Sequence, residues 1–265
     1  MIDTHCHLTF PDYAGLVRRV LSDARARGVT GAITISTTTH DCLEALALAE
    51  GHDGLWCSAG VHPLYADRGT HVWENLRHVA LQPECVAWGE LGLDNHYSKP
   101  ARGTQHDVLD EQLDFIERCA NDDDTPIDLP FILHCREAFD DLIPVLRGTS
   151  FDPSRFVFHC FTGTPDDARA CLDFGAMISF TGVVTFSNAR EVQEAAKLVP
   201  LDRVMVETDA PFLTPEPHRT IKPNEPQYAM DTARFLADLR GESWEEFHDA
   251  INRNTERFFG LEGVR

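Results

Sequence analysis

The chain has 265 residues, 43% of them hydrophobic, which suits one large α/β domain with a sizeable core. Its formal net charge is −20, and only three of its 23 basic residues are lysines, Lys99, Lys197 and Lys222. Such a surface repels polyanions at long range, so nucleic acid cannot be inferred from bulk charge and, if bound, must be held locally; the absence of any run of about eighteen apolar residues excludes a membrane-spanning helix.

Strand-length apolar segments alternate with helical patterns for eight rounds. Strand one is Met1 to Cys6, and its helix carries Leu16, Val17, Val20, Leu21 and Ala24 at helical spacing before stopping at Gly28. Strand two runs from Gly31 to Ser36, with a helix through Leu43, Leu46 and Ala47. Strand three, Leu55 to Ala59, runs into Gly60-Val-His-Pro63, and a looser helix spans Val72 to Leu81. Strand four, Val86 to Trp88, ends at Gly89-Glu90. A longer loop, Asp94 to Thr104, precedes a helix with Leu109, Leu113, Ile116 and Ala120, and Asn121 to Asp124 reads as a solvated connection. Strand five is Leu129 to His134, strand six Arg155 to His159, strand seven Ala176 to Phe180 after a helix ending at Gly175, and strand eight Arg203 to Glu207. A helical pair closes the chain, its second member opened by a capping box, Ser243…Glu246. Alternation of this kind predicts a parallel sheet, and about 250 residues is the usual length of an eight-unit barrel. The expectation is a (β/α)8 TIM barrel forming a single domain over residues 1–265, without internal repeats.

The chain enters strand one directly, leaving no room for a signal peptide, and its eight cysteines include no Cys-x-x-Cys pair. Both features predict a cytoplasmic protein without a disulfide framework. Cys6, Cys135 and Cys160 each follow a histidine, which reads as small side chains on the outward face of buried strands.

Side chains alternate along a strand, so Asp3, His5 and His7 share one face. Most of the thirteen histidines fall in helices or loops and carry no signal. Four, however, sit at strand ends together with Glu90 and Asp209, where barrel active sites are built. His5, His7 and Asp209 are assigned to one divalent cation, His134 and His159 to a second, and Glu90 to both, since a carboxylate can offer one oxygen to each ion. The donor mix suits zinc, manganese, iron, nickel or magnesium. One ion would generate hydroxide near neutral pH, and a second, about 3.5–4 Å away, would hold the leaving or non-bridging oxygen. The three lysines lie away from strand ends, which excludes a bridging lysine. Asp209 is also the candidate general base. Asp3 and Glu207, on the same face, read equally well as partners orienting the imidazoles or as polar residues low in the barrel.

Six stretches together resemble the TatD family of metal-dependent hydrolases, in the amidohydrolase superfamily. They are Asp3-Thr-His-Cys-His-Leu8, Ala59-Gly-Val-His-Pro63, Gly89-Glu-Leu-Gly-Leu-Asp94, Leu129-Pro-Phe-Ile-Leu-His-Cys-Arg136, His159-Cys-Phe-Thr-Gly163 and Glu207-Thr-Asp-Ala-Pro-Phe-Leu213. They span almost the whole chain in the family's order. The resemblance implies a barrel, divalent metals at the six positions above, and hydrolysis of phosphodiester bonds in DNA, several members being similar to 3′–5′ exonucleases that prefer single strands. One departure lies after Pro215, where the family runs Arg-Gly and soon Asn-Glu/Gln-Pro. Here Arg219 is followed by Thr220, Ile221, Lys222 and Pro223 before Asn224-Glu225-Pro226, without the glycine.

Four cations at the rim, His62, Arg136, Arg219 and Lys222, are candidate phosphate contacts. No aromatic-basic stripe is visible along the sequence. The leading expectation is a metal-dependent deoxyribonuclease trimming DNA ends, with no membrane contact and no obligate protein partner. The rival keeps both metals but hydrolyses a small ester, amide or lactone, or aminoacyl-tRNA, which the negative charge favours. A non-catalytic metal-storing or partner-binding protein is the third class, opposed by the completeness of the ligand set.

Overall fold

A computed structural model describes residues 1–261; the last four positions of the expected domain lie outside the described residues. Eight strands pair in parallel in chain order, β1 (Ile2–Cys6), β2 (Gly31–Thr34), β3 (Leu55–Ala59), β4 (Cys85–Asp94), β5 (Phe131–Arg136), β6 (Phe156–Phe158), β7 (Met177–Phe180) and β8 (Val204–Val206). The helices between and after them are α1 (Val17–Ala26), α2 (Asp41–Glu50), α3 (Trp73–Ala80), α4 (Arg102–Ala120), α5 (Phe139–Arg147), α6 (Pro165–Phe174), α7 (Arg190–Leu198), α8 (Ala229–Arg240) and α9 (Trp244–Phe259). The seam between last and first strands is closed just beyond β8. Asp209 N–H donates to the His5 carbonyl at 2.9 Å, and His7 N–H donates to the Ala210 carbonyl at 2.7 Å. This is the (β/α)8 barrel that the alternation predicts.

Period-two alternation divides each strand between two apolar layers. Outward residues such as Trp88, Phe131, Phe156, Phe158 and Phe180 are fully buried against the helices. Burying one such side chain is worth roughly 1.5–3 kcal/mol. Inward, Ile33, Ile35, Ile132, Val157, Met177 and Met205 fill the barrel's lower half, and Phe258 and Phe259 at the end of α9, with Leu261 beyond it, pack onto that plug. Continuing the same alternation upward turns polar: Val157 leads to His159, Ile132 to His134, and Met205 to Glu207 and Asp209. The apolar plug thus closes the floor beneath a polar upper half.

Two boundaries differ from expectation for physical reasons. β4 does not stop at Trp88 but runs on to Asp94, ten residues in all, with a register irregularity between Trp88 and Leu91. Gly92 makes the continuation possible. Its φ is 142°, and a Cβ there would stand 2.0 Å from the His134 carbonyl oxygen, so only glycine lets β4 lie against β5 at this point. The helix caps also redistribute. Ser243 accepts from Glu246 N–H at 3.2 Å as expected, but the reciprocal capping box lies at Thr164 and Asp167, opening α6.

Candidate metal centre

Strand ends bring five histidines and five carboxylates into the barrel's upper mouth. Glu90 is the hub. Its backbone is fixed from β3 and from the segment after β2: Glu90 N–H donates to the Ser36 carbonyl, while Ser58 Oγ donates to the Gly89 carbonyl at 2.6 Å. Its carboxylate is buried, and its two oxygens face different imidazoles. Oε1 lies 2.6 Å from His159 Nε2 and 2.8 Å from His134 Nδ1, whereas Oε2 lies 3.3 Å from His5 Nε2 and 3.9 Å from His7 Nε2. Asp209, in the left-handed region with φ 57°, brings Oδ1 to 3.4 Å from His7 Nε2 and 3.7 Å from His5 Nε2. Aspartate is among the few non-glycine residues that occupy this region readily.

The imidazoles are oriented from behind. His7 Nδ1 meets the Ile35 carbonyl at 3.3 Å, and His159 Nδ1 meets Glu207 Oε1 at 3.3 Å. His134 Nε2 meets Asp94 Oδ2 at 3.0 Å, which turns its Nδ1 towards Glu90. Glu207 is itself held by Cys160 N–H at 2.6 Å and Ser179 Oγ at 2.7 Å. Asp3 orients no ring: it accepts from Thr208 N–H at 2.9 Å and Thr208 Oγ1 at 2.5 Å, tying β1 to the segment that carries Asp209. Burial pushes Asp3 up to about 8. Of the two residues with an open reading, Glu207 therefore contacts a histidine and Asp3 holds the seam.

His62 reaches the cluster from the turn after β3, its Nε2 3.4 Å from Glu90 Oε1. With His134 and Glu90 it forms a group close enough to hold an ion. Its other nitrogen argues against ligation. His62 Nδ1 accepts the Leu64 N–H at 2.9 Å, so a neutral ring must carry its proton on Nε2, the atom facing the centre. Burial pushes this imidazole down to about 3, which keeps it neutral. His62 is thus an N–H donor aimed into the site.

The buried ligand atoms are spaced to hold a cation. Glu90 Oε2 is buried without a hydrogen-bond partner. The Nε2 atoms of His5 and His7 stand 3.3 Å apart, and two nitrogens bound at about 2.0–2.1 Å to one tetrahedral ion would be separated by about 3.3 Å. Burial alone would raise Glu90, but His159, His62, His5 and the hydrogen bond from His134 outweigh it and hold the carboxyl well below its ordinary range. Burial likewise opposes charge on His159, yet Glu90 and Glu207 push that imidazole well above its usual range. The carboxylates thus demand compensating positive charge, which a divalent cation supplies as well as protons do. The residues present fit a metal.

A sequence of this kind has many relatives. The TatD related DNase family matches residues 2–260. The chain belongs to that family. It is 36% identical to the metal-dependent hydrolase YcfH of Escherichia coli strain K12 over 268 residues, covering 100% of this chain and 97% of that one. It is also 36% identical to the 3′-5′ ssDNA/RNA exonuclease TatD of Pantoea vagans over 267 residues, covering 98% of this chain and 100% of that one. The crystal structure of the TatD homologue YJJV from Escherichia coli K12 superposes with a TM-score of 0.89 at 32% identity, covering 98% of both chains. This TatD-family chain is accordingly a metal-dependent hydrolase.

The other predicted cations sit apart from the buried cluster. Arg136, ending β5, lies over the Tyr97 ring at 5.2 Å, with Nη1 3.5 Å from the Tyr97 hydroxyl. Arg219 lies over Phe186 at 3.8 Å and 4.0 Å from Glu216. Among the described residues, neither Arg219 nor Lys222 is in hydrogen-bond or ion-pair contact with the cluster. Asp94, Ser36 and Ser58 join the site without a role expected from the sequence. Asp94 stands at the start of an apparent loop, and its signals are its place four residues after Glu90 and its position closing the stretch Gly89-Glu-Leu-Gly-Leu-Asp94. No helix among the described residues is long and apolar enough to cross a membrane.

Proposed function

We propose that this chain is a phosphodiesterase using two divalent cations, and that it removes nucleotides from the 3′ end of single-stranded DNA. The observation that carries this reading is the division of Glu90, with Oε1 towards His134 and His159 and Oε2 towards His5 and His7. Zinc, magnesium or manganese bound there supplies Lewis acidity, making water acidic near neutral pH and neutralising charge on phosphoryl oxygens. His5, His7 and Asp209 would hold one ion, His134 and His159 the other, and Glu90 both. Asp209, partly open to the mouth, accepts the proton of the attacking water. His62 donates Nε2–H to a phosphate oxygen, and Arg136, steadied by Tyr97, receives the adjoining phosphate.

The 36% identity to the Pantoea vagans exonuclease, covering 98% of this chain and 100% of that one, supports a nucleic-acid substrate. Eight free cysteines, seven of them buried, suit a reducing cytoplasm. The −20 charge favours one rival, hydrolysis of a small ester or lactone or of aminoacyl-tRNA, because phosphate backbones are repelled at long range.

The two readings separate when metal content and turnover are measured together on a panel of end-labelled oligonucleotides and small esters, with each divalent ion. A ladder shortening from the 3′ end is the expected result. Cleavage of the small esters alone would discard the nuclease. Glu90→Ala and Asp209→Asn should each lose at least about 100-fold in kcat, the low end of a proton-transfer contribution, with unchanged circular dichroism. Substantial turnover by both variants would refute these roles.

A further inference from the structure

Phe212 is the most exposed large apolar side chain of the described residues, at 51%, and it lies three positions after Asp209. It is not a loose surface residue. Its N–H donates to the Asp209 carbonyl at 2.9 Å, and its own carbonyl accepts from Asn224 Nδ2 at 2.5 Å. Asn224 is fully buried, donates also to the Thr208 carbonyl at 3.1 Å, and its carbonyl accepts from the buried Tyr13 hydroxyl at 2.5 Å. The turn is therefore pinned from below while its ring is held outward.

That ring continues a series of planar groups leading from the metal centre. Phe10 stacks on His7 with centroids 4.8 Å apart and planes 20° apart, and Phe212 meets Phe10 edge-on at 6.1 Å. The series flanks the β8–β1 side of the mouth. Directly across the eight-strand ring, at β4 and β5, stand Tyr97 and Arg136. A phosphodiester at the centre would thus have an apolar aromatic wall on one side and a guanidinium on the other. In a chain of net charge −20, affinity for a nucleic-acid end cannot come from the field of the whole protein. Stacking on an aromatic face needs no such field and tolerates every base.

We propose that Phe212, backed by Phe10, is a stacking platform for the nucleobase beside the scissile phosphate, so that the site selects base-bearing strand ends. The proposal rests on the exonuclease reading. It makes base stacking, and not backbone charge, the source of end recognition.

The test compares oligonucleotides with a natural end and with an abasic sugar at the terminal or penultimate nucleotide, using metal-loaded enzyme. The natural end should show a KM about ten-fold lower than the abasic one. Phe212→Ala should bring that ratio close to one, and Phe212→Trp should keep it. In a separate titration, the Phe212→Trp protein should show quenching of tryptophan emission by a natural-ended oligonucleotide beyond that of the unaltered chain, and none by the abasic one. A wild-type enzyme that cleaves oligonucleotides without base preference, or a Phe212→Ala variant that retains it, overturns the platform alone. Absence of oligonucleotide cleavage with every divalent ion overturns the nuclease reading and the platform with it.

Discussion

Asp94 Oδ2 stands 3.0 Å from His134 Nε2 and fixes which nitrogen of that ring faces Glu90. Asp94 is fully buried, and its other oxygen accepts the N–H groups of His96 and Tyr97 at 3.0 and 3.1 Å. Asp94→Asn keeps an oxygen for those two contacts but removes the charge that favours Nε2–H. We expect metal affinity to fall roughly 10–100-fold, the usual cost of losing a partner behind a ligand, with activity returning at excess metal. Competition against a chromogenic chelator measures this, and unchanged affinity would sever Asp94 from the site.

His62 offers a second test because donor and ligand make opposite demands. His62→Gln supplies an amide N–H in place of Nε2–H and removes an imidazole. If His62 were a ligand, metal content per chain would drop on dialysis. The Nδ1 contact with Leu64 N–H predicts full metal content with turnover reduced, on the order of 10–100-fold for one donor lost from the site. Elemental analysis beside steady-state kinetics distinguishes the two.

Gly92 should be intolerant of any side chain. An added Cβ collides with the His134 carbonyl and also meets an unfavourable backbone conformation. Gly92→Ala should cost roughly 2–4 kcal/mol, read from urea unfolding in the presence of a chelator so that metal affinity does not contribute. A loss below about 0.5 kcal/mol, the range of an ordinary surface change, would mean that β4 and β5 part easily there.

The thiols give a simple check on packing. All eight cysteines are free, and burial is the leading cause that pushes Cys42 up to about 12 and Cys160 well above its usual range. Thiolate is the reactive form, so near pH 8 the native protein should react slowly, if at all, with an aromatic disulfide reagent. The unfolded chain should release eight equivalents. Fast reaction of several native thiols would contradict the packing behind the strands.

Much of this architecture is legible in the chain because barrel strands carry their instructions locally. Alternation in Asp3-Thr-His-Cys-His7 places both histidines on one face, and the structure puts both within 4 Å of Glu90. Strand four is the instructive failure. Gly89 and Gly92 resemble strand-ending signals, so the segment beyond Glu90 reads as loop and hides Asp94, whereas both glycines permit close approach of β5. The nine-residue helices α5 and α7 carry helical spacing, Phe139, Leu142, Ile143 and Leu146 in the first and Val192, Ala195 and Ala196 in the second, but both are short and Pro144 lies inside the first. Partnerships across long sequence separations were beyond reach for a different reason. Tyr97 with Arg136, and Phe10 with Phe212, meet only when the ring closes, so no stripe exists along the chain to be read.

That closure carries a consequence of its own. The bonds joining the first strand to the last run through His5, His7 and Asp209, the same residues that would grip a cation. An ion bound there would act as a clasp on the ring, drawing together the two ends of a polypeptide more than two hundred residues apart. Opening the barrel would then require letting go of the metal. The amides of His7 and Asp209 would be the last to exchange with solvent in the loaded protein and among the earliest to loosen once it is stripped.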